Sequence, residues 1–123
     1  MKKLYALRGA VQCENTEKGI IREVALMYEE LLKLNGLIED NIVSIIFSVT
    51  NDINAISPCT ALRKSNFAGG GTALFATQEP ETKNSLERTI RVIIHCYLEE
   101  DSKPVHVYMN GAEVLRPDRV IKI

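Results

Sequence analysis

The run Ile42-Val43-Ser44-Ile45-Ile46-Phe47-Ser48-Val49-Thr50 constrains the fold more than any other stretch of this chain. Its β-branched residues favour an extended backbone, and side chains on a strand alternate between two faces. Val43, Ile45, Phe47 and Val49 form one wholly apolar face, whereas Ser44, Ser48 and Thr50 soften the other. Such a face must be covered. The cover lies upstream, where Ile20, Val24, Met27, Tyr28, Leu31 and Leu34 recur at three- and four-residue steps with charges between them. That spacing predicts an amphipathic helix from a cap at Asn15 or Thr16 to about Leu34, ended by Asn35-Gly36.

Further strands are predicted over residues 4–12, 72–77 and 89–97, with a second helix opened by Pro58 and running to about Asn66. Residues 105–109 and 112–115 flank Asn110-Gly111, a pair that favours a two-residue hairpin turn. Strands outnumber helices and a hairpin pairs antiparallel, so the fold class is α+β with a mixed sheet. The glycines at 69–71 follow a helix and lack the Lys-Ser/Thr of a phosphate loop, so they read as a flexible connection.

Composition narrows the class of function. The 123 residues, 46% apolar and 25% charged, fit one globular domain over 1–123. Fifteen basic against sixteen acidic residues argue against a general nucleic-acid binder. No apolar stretch approaches the ~18 residues of a membrane span. The start at Met1-Lys2-Lys3 looks briefly like a signal sequence, but Arg8-Gly9 ends the apolar run early. Three cysteines (Cys13, Cys59 and Cys96) without paired spacing predict reduced thiols and a cytoplasmic location. His95 and His106 have no ligand-spaced partner, so no metal site is expected. No cysteine or serine sits in a recognisable nucleophile arrangement.

What remains is a set of single residues in unusual places: Arg8, Arg63, Glu79, Arg91, Tyr108 and Arg116. Each alone has the ordinary reading of a salt bridge or a surface charge. Arg8 and Arg91 lie inside apolar strands, however, and a buried guanidinium needs a partner or an anionic ligand. Several arginines together point to a carboxylate or phosphate, which the planar guanidinium binds bidentately. The residues alone thus point no further than an α+β domain with the cations to bind a small anion.

The words around these residues carry a resemblance. They are Leu7-Arg8-Gly9-Ala10, Thr50-Asn51-Asp52-Ile53-Asn54-Ala55 with Pro58 and Arg63 beyond it, Gln78-Glu79, Ile90-Arg91-Val92, His106-Val107-Tyr108 and Val114-Leu115-Arg116-Pro117-Asp118. In this order and spacing, from about residue 4 to 118, the chain resembles the small monofunctional chorismate mutases of the AroH class. The resemblance implies a mixed five-stranded sheet packed with helices, in homotrimers whose sheets form a pseudo-α/β-barrel with active sites between subunits. It also implies the cofactor-free, metal-free Claisen rearrangement of chorismate to prephenate, in phenylalanine and tyrosine biosynthesis.

The resemblance assigns roles as well. Arg91 becomes the cation at the ether oxygen, Arg8 and Tyr108 hold the side-chain carboxylate, and Glu79 accepts from the ring hydroxyl. Arg63 and Arg116 attract the ring carboxylate, Leu115 lines the pocket, Cys59 joins the substrate-binding positions, and residues 117–123 form a tail that helps to close the site. Three positions depart from the family pattern. Ser57 replaces a phenylalanine at the pocket mouth, Thr60 a lysine found in some members, and Ala76 a cysteine beside the ring hydroxyl. The rival expectation, motivated by Ser57 and Thr60, is a non-catalytic trimeric binder or sensor of an anionic metabolite.

Overall fold

The computed structural model describes residues 1–68 and 71–116. The predicted tail at 117–123 and two of the three glycines at 69–71 therefore lie outside the described residues. The elements run β1 (Lys2–Gln12), α1 (Glu17–Asn35), β2 (Ile42–Val49), α2 (Pro58–Lys64), β3 (Ala73–Gln78), β4 (Thr89–Glu99) and β5 (Val107–Met109). Short 3-10 turns cover Glu39–Asn41 and Ala112–Leu115. The five strands form one sheet in the order β3-β2-β4-β1-β5. β1 and β2 each pair antiparallel with β4, while β5 runs parallel to β1 and β3 parallel to β2. The mixed α+β sheet is as expected from the sequence.

The helix α1 begins where the Thr16 hydroxyl accepts the Gly19 N–H at 2.9 Å. It stops at Gly36, whose φ of 57° lets its N–H return to the last turn. Ile20, Val24, Met27, Tyr28 and Leu31 are buried as the spacing predicts. Leu34 is not; it stays 37% exposed. The chain at Val105 covers the neighbouring Asn35 instead, whose side-chain amide bonds both backbone groups of Val105 at 2.8 and 2.9 Å.

The helix lies very close to the sheet at Gly9 on β1. A Cβ there would stand 3.1 Å from Val92 on β4 and 3.2 Å from both Leu31 and Met27 on α1. Gly9 therefore marks the face of the sheet that α1 covers. Along that face Leu7, Val11, Ile45, Phe47, Ile90, Val92 and Ile94 make the core. The alternation on β2 is offset at its start by an irregularity between Ile42 and Ser44. Ile42 takes the buried place expected of Val43, which is 49% exposed. A bulge inserts one residue and moves the preceding ones to the other face.

The hairpin around Asn110-Gly111 is corrected. Both residues adopt the left-handed conformation, with φ 52° and 101°, so the turn chemistry is real. Residues 112–115 continue as the 3-10 turn Ala112–Leu115, however, and β5 pairs parallel with β1. A positive φ at Gly111 opens that helical turn as well as it would a returning strand, and Ala112 is fully buried beneath it.

Gly9→Ala inserts a methyl group into a contact already at van der Waals limits. It is expected to destabilise the fold by about 1–3 kcal/mol in urea unfolding. An unchanged midpoint contradicts the close approach of α1 to β1.

Candidate active site

The face of the sheet turned away from α1 carries Arg8, Arg91 and Tyr108 of the predicted site residues, and strand register sets their positions. Ala10 on β1 pairs with Arg91 on β4 and with Tyr108 on β5. Arg91 pairs in turn with Ser48 on β2, and Ser48 with Thr77 on β3. Directly opposed residues share a face, so Tyr108, Ala10, Arg91, Ser48 and Thr77 form one row across all five strands. Arg8, two residues before Ala10, lies on the same face in the adjoining row. Tyr108 and Arg91 stand two strands apart, or about 10 Å, with only the methyl group of Ala10 between them.

The electrostatics centre on Arg91 and Glu79. Glu79 follows β3, held by its N–H to the Val49 carbonyl at 2.7 Å. Its Oε1 lies 3.5 Å from Arg91 Nε and accepts the Ser48 hydroxyl at 2.6 Å. The two side chains remain 24% and 30% exposed, so the pair is shielded but reachable. Arg8, Ile46, Ser48, Glu79, Arg91 and Ile93 line a cleft of about 270 Å3. The Arg8 backbone N–H donates to His106 Nδ1 at 3.0 Å, tying β1 to the segment that leads into β5.

Two donors on this face lack an acceptor among the described residues. Arg91 Nε is buried and makes no hydrogen bond, its contact with Glu79 being an ion pair only. The Tyr108 hydroxyl, on a side chain that is 2% exposed, also makes none. A buried donor left unsatisfied costs about 1–3 kcal/mol. The Tyr108 hydroxyl and the part of the Arg91 fork not turned to Glu79, on the same side of the sheet as Arg8, suit an oxyanion or carboxylate ligand.

Of the other sequence-predicted residues, Leu115 adjoins this row and most of the rest lie elsewhere. Leu115 packs onto the small cluster of Ala10, Tyr108 and Ala112, and the Arg116 N–H donates to the Glu113 carbonyl. Ser57 and Ala76 line a second, larger cavity of about 460 Å3 formed by the 49–58 segment and the end of β3. The Ser57 hydroxyl caps α2, accepting the Cys59 N–H at 3.2 Å. Thr60 and Arg63 lie on α2, joined by a 3.4 Å hydrogen bond from Arg63 Nη2 to the Thr60 hydroxyl. Within one chain, then, Ser57, Ala76, Thr60 and Arg63 are not brought to the Arg91 cleft. Cys59 is buried within the core. Ser48 was missed by sequence reasoning, although a serine inside an apolar strand was the available signal; its place opposite Arg91 depends on register.

The thiols offer no ready nucleophile. Burial, reinforced by the nearby Glu23 charge, pushes Cys13 up to about 11. Burial also raises Cys96, and raises Cys59 despite opposing effects from the Ser57 hydroxyl and the Arg63 charge.

The chain is similar to known proteins over nearly its whole length. Residues 4–119 match the family described as chorismate mutase type I. The chain is 27% identical over 117 residues to chorismate mutase AroH of Bacillus subtilis (strain 168), covering 94% of this chain and 91% of that protein. It is 30% identical over 115 residues to chorismate mutase AroH of Thermus thermophilus, covering 91% and 93%. A solved structure of chorismate mutase from Clostridium thermocellum superposes with a TM-score of 0.80 at 39% identity, covering 89% of this chain and 98% of that one. A five-stranded mixed sheet packed with helices is thus the fold of a known enzyme class. The chain belongs to the chorismate mutase type I family.

The raised thiol of Cys13 has a consequence for stability. Its folded value of about 11 exceeds the ordinary 9.0, so the folded state keeps a proton that the unfolded chain loses. That stability is fully present below pH 9 and is lost as pH rises towards 11. Cys13→Ala should flatten the fall in unfolding free energy over this window. A fall identical to that of the unsubstituted protein contradicts the burial of the thiol.

Proposed function

We propose that the protein converts chorismate to prephenate in an intramolecular Claisen rearrangement, with Arg91 as the principal electrostatic catalyst. The observation that carries the reading is the row of Tyr108, Ala10 and Arg91 on one sheet face. The Tyr108 hydroxyl in that row is buried without an acceptor, and Arg91, held on its Nε side by Glu79, lines one cleft with Arg8.

The chemistry follows from charge. Chorismate is a dianion, and as its ether C–O bond breaks, negative charge grows on the oxygen while the ring fragment becomes electron-poor. A guanidinium fixed at that oxygen interacts more strongly with the transition state than with the ground state, which raises the rate. Arg91 is fixed in this way, with Glu79 on its Nε side and Ser48 holding the Glu79 carboxylate. Arg8 and Tyr108 grip the enolpyruvyl carboxylate and keep the compact reactive conformer, converting binding energy into orientation. Glu79 accepts from the ring hydroxyl and lies near the electron-poor ring.

The ring carboxylate requires a further step. Ser57, Ala76, Thr60 and Arg63 lie outside the Arg91 cleft of their own chain. The sheet face that bears Arg91 also exposes Leu4, Phe75 and Tyr97, by 51%, 64% and 44%. An apolar face of this kind beside a half-built site fits a closed homotrimer, in which the 57–63 segment of one subunit completes the cleft of the next. Arg116 and Leu115 complete the pocket wall. Three buried free thiols, and described helices too short or polar to cross a membrane, fit a cytoplasmic enzyme.

Purified protein incubated with chorismate should form prephenate well above the uncatalysed rate. Arg91→Ala should lower kcat by about a hundred- to a thousandfold, the scale of losing an oxyanion donor. A loss confined to KM would show that Arg91 binds the ground and transition states equally and is not the electrostatic catalyst. Calorimetric binding of chorismate without acceleration would support a metabolite binder instead.

A further inference from the structure

The face of α1 that packs on the sheet contains one charged residue. Glu23 is 7% exposed, among Gly19, Ile20, Val24 and Met27. A carboxylate in such a place needs hydrogen bonds to offset its lost hydration. Arg22 is of little help; its Nε is 4.0 Å away on a largely exposed side chain. The short contact is with Asn110, whose Nδ2 donates to Glu23 Oε1 at 2.9 Å. The same Nδ2 donates to the Gln12 carbonyl at 2.7 Å, so both of its hydrogens are used, one towards α1 and one towards the end of β1.

Asn110 sits at a critical joint. It follows β5, a strand of three residues at the sheet edge, and precedes the turn Ala112–Leu115. Tyr108 lies two residues before it and Leu115 five after. Three ladder pairs are a weak anchor for a segment that must hold a buried tyrosine in register. The segment next to Asn110 also lies against the end of β1, since a Cβ at Gly111 would meet the Gln12 side chain.

We infer that Glu23 is a positioning residue: through Asn110 it clamps the β5 segment to α1 and so holds Tyr108 and Leu115 in place against the substrate. This role rests on the assignment of Tyr108 to the chorismate site. Glu23 itself lies on the α1 face of the sheet and does not touch the reacting atoms. Its carboxylate, doubly shielded by helix and sheet, serves as a fixed acceptor to which a short edge strand is fastened.

The test compares three variants by steady-state kinetics and amide hydrogen exchange. Glu23→Ala removes the acceptor, and Asn110→Gly removes the donor at an exposed position while tolerating the positive φ. Both should raise KM for chorismate by about tenfold, the equivalent of one net hydrogen bond, with kcat changed far less. Glu23→Gln keeps an acceptor oxygen and should restore KM to within about twofold of the parent, because a neutral amide still receives the Asn110 hydrogen. Exchange should accelerate over residues 107–115 in the first two variants and not in the third. In a Tyr108→Phe background, Glu23→Ala should add little to the rise in KM, as expected for coupled residues. Lowered thermal stability with unchanged KM and unchanged exchange over 107–115 overturns the clamp. If the parent protein shows no turnover, the functional reading fails on its own, and exchange over 107–115 still decides whether Glu23 holds the segment.

Discussion

The eleven-residue antiparallel register between β1 and β4 is the constraint on which the other features depend. It places Gly9 opposite Val92, beneath α1, and Ala10 opposite Arg91 on the other side of the sheet. A slip of one residue would exchange the two faces, driving the guanidinium into the core and Val92 into the cleft. The apolar alternation of Leu7, Val11, Ile90, Val92 and Ile94 forbids that slip. Core packing on one side therefore fixes the geometry of charge on the other. The parallel ladder from β1 to β5 then extends the same register to Tyr108.

A net charge of −1 is no obstacle to binding a dianion once its cations are placed in this way. What matters locally is that Arg91 and Arg8 line one cleft, and that Arg91 is held before substrate arrives. Glu79 both neutralises part of the Arg91 charge and orients it, and Ser48 orients Glu79. In the proposed mechanism this preorganisation lets the guanidinium meet developing charge without reorganising at the moment of reaction. Arginine suits the task because its fork keeps donors free for a carboxylate while Nε faces Glu79.

Local patterns in the sequence made much of the fold legible. The Thr16 cap, the Gly36 stop and the stripe from Ile20 to Leu31 each depend on neighbours three or four residues away, and each is observed. The departures arise where distant parts of the chain decide. The Ile42–Ser44 bulge follows from pairing with β4, and the covering of Asn35 rather than Leu34 follows from Val105. Asn110-Gly111 specifies a turn but not what comes after it, so the expected hairpin became a 3-10 turn beside a parallel edge strand. The candidate site divides in the same way. Arg8 and Arg91 stand out as charges among apolar neighbours, whereas Ser48 and Glu23 acquire meaning only through partners 31 and 87 residues away.

The separation of Arg91 from the Ser57–Arg63 segment within one chain leads to the central claim, that each active site is built by two subunits. It is tested most directly by subunit mixing. Arg91→Ala disables the sheet half of the site, and Ser57→Trp blocks the other half; each variant alone should have little activity. Dissociated, mixed in equal amounts and reassembled, they should regain about a quarter of the activity of the unsubstituted protein, because in a closed ring one site in four receives both intact halves. A mixture no more active than its separate components would contradict the account.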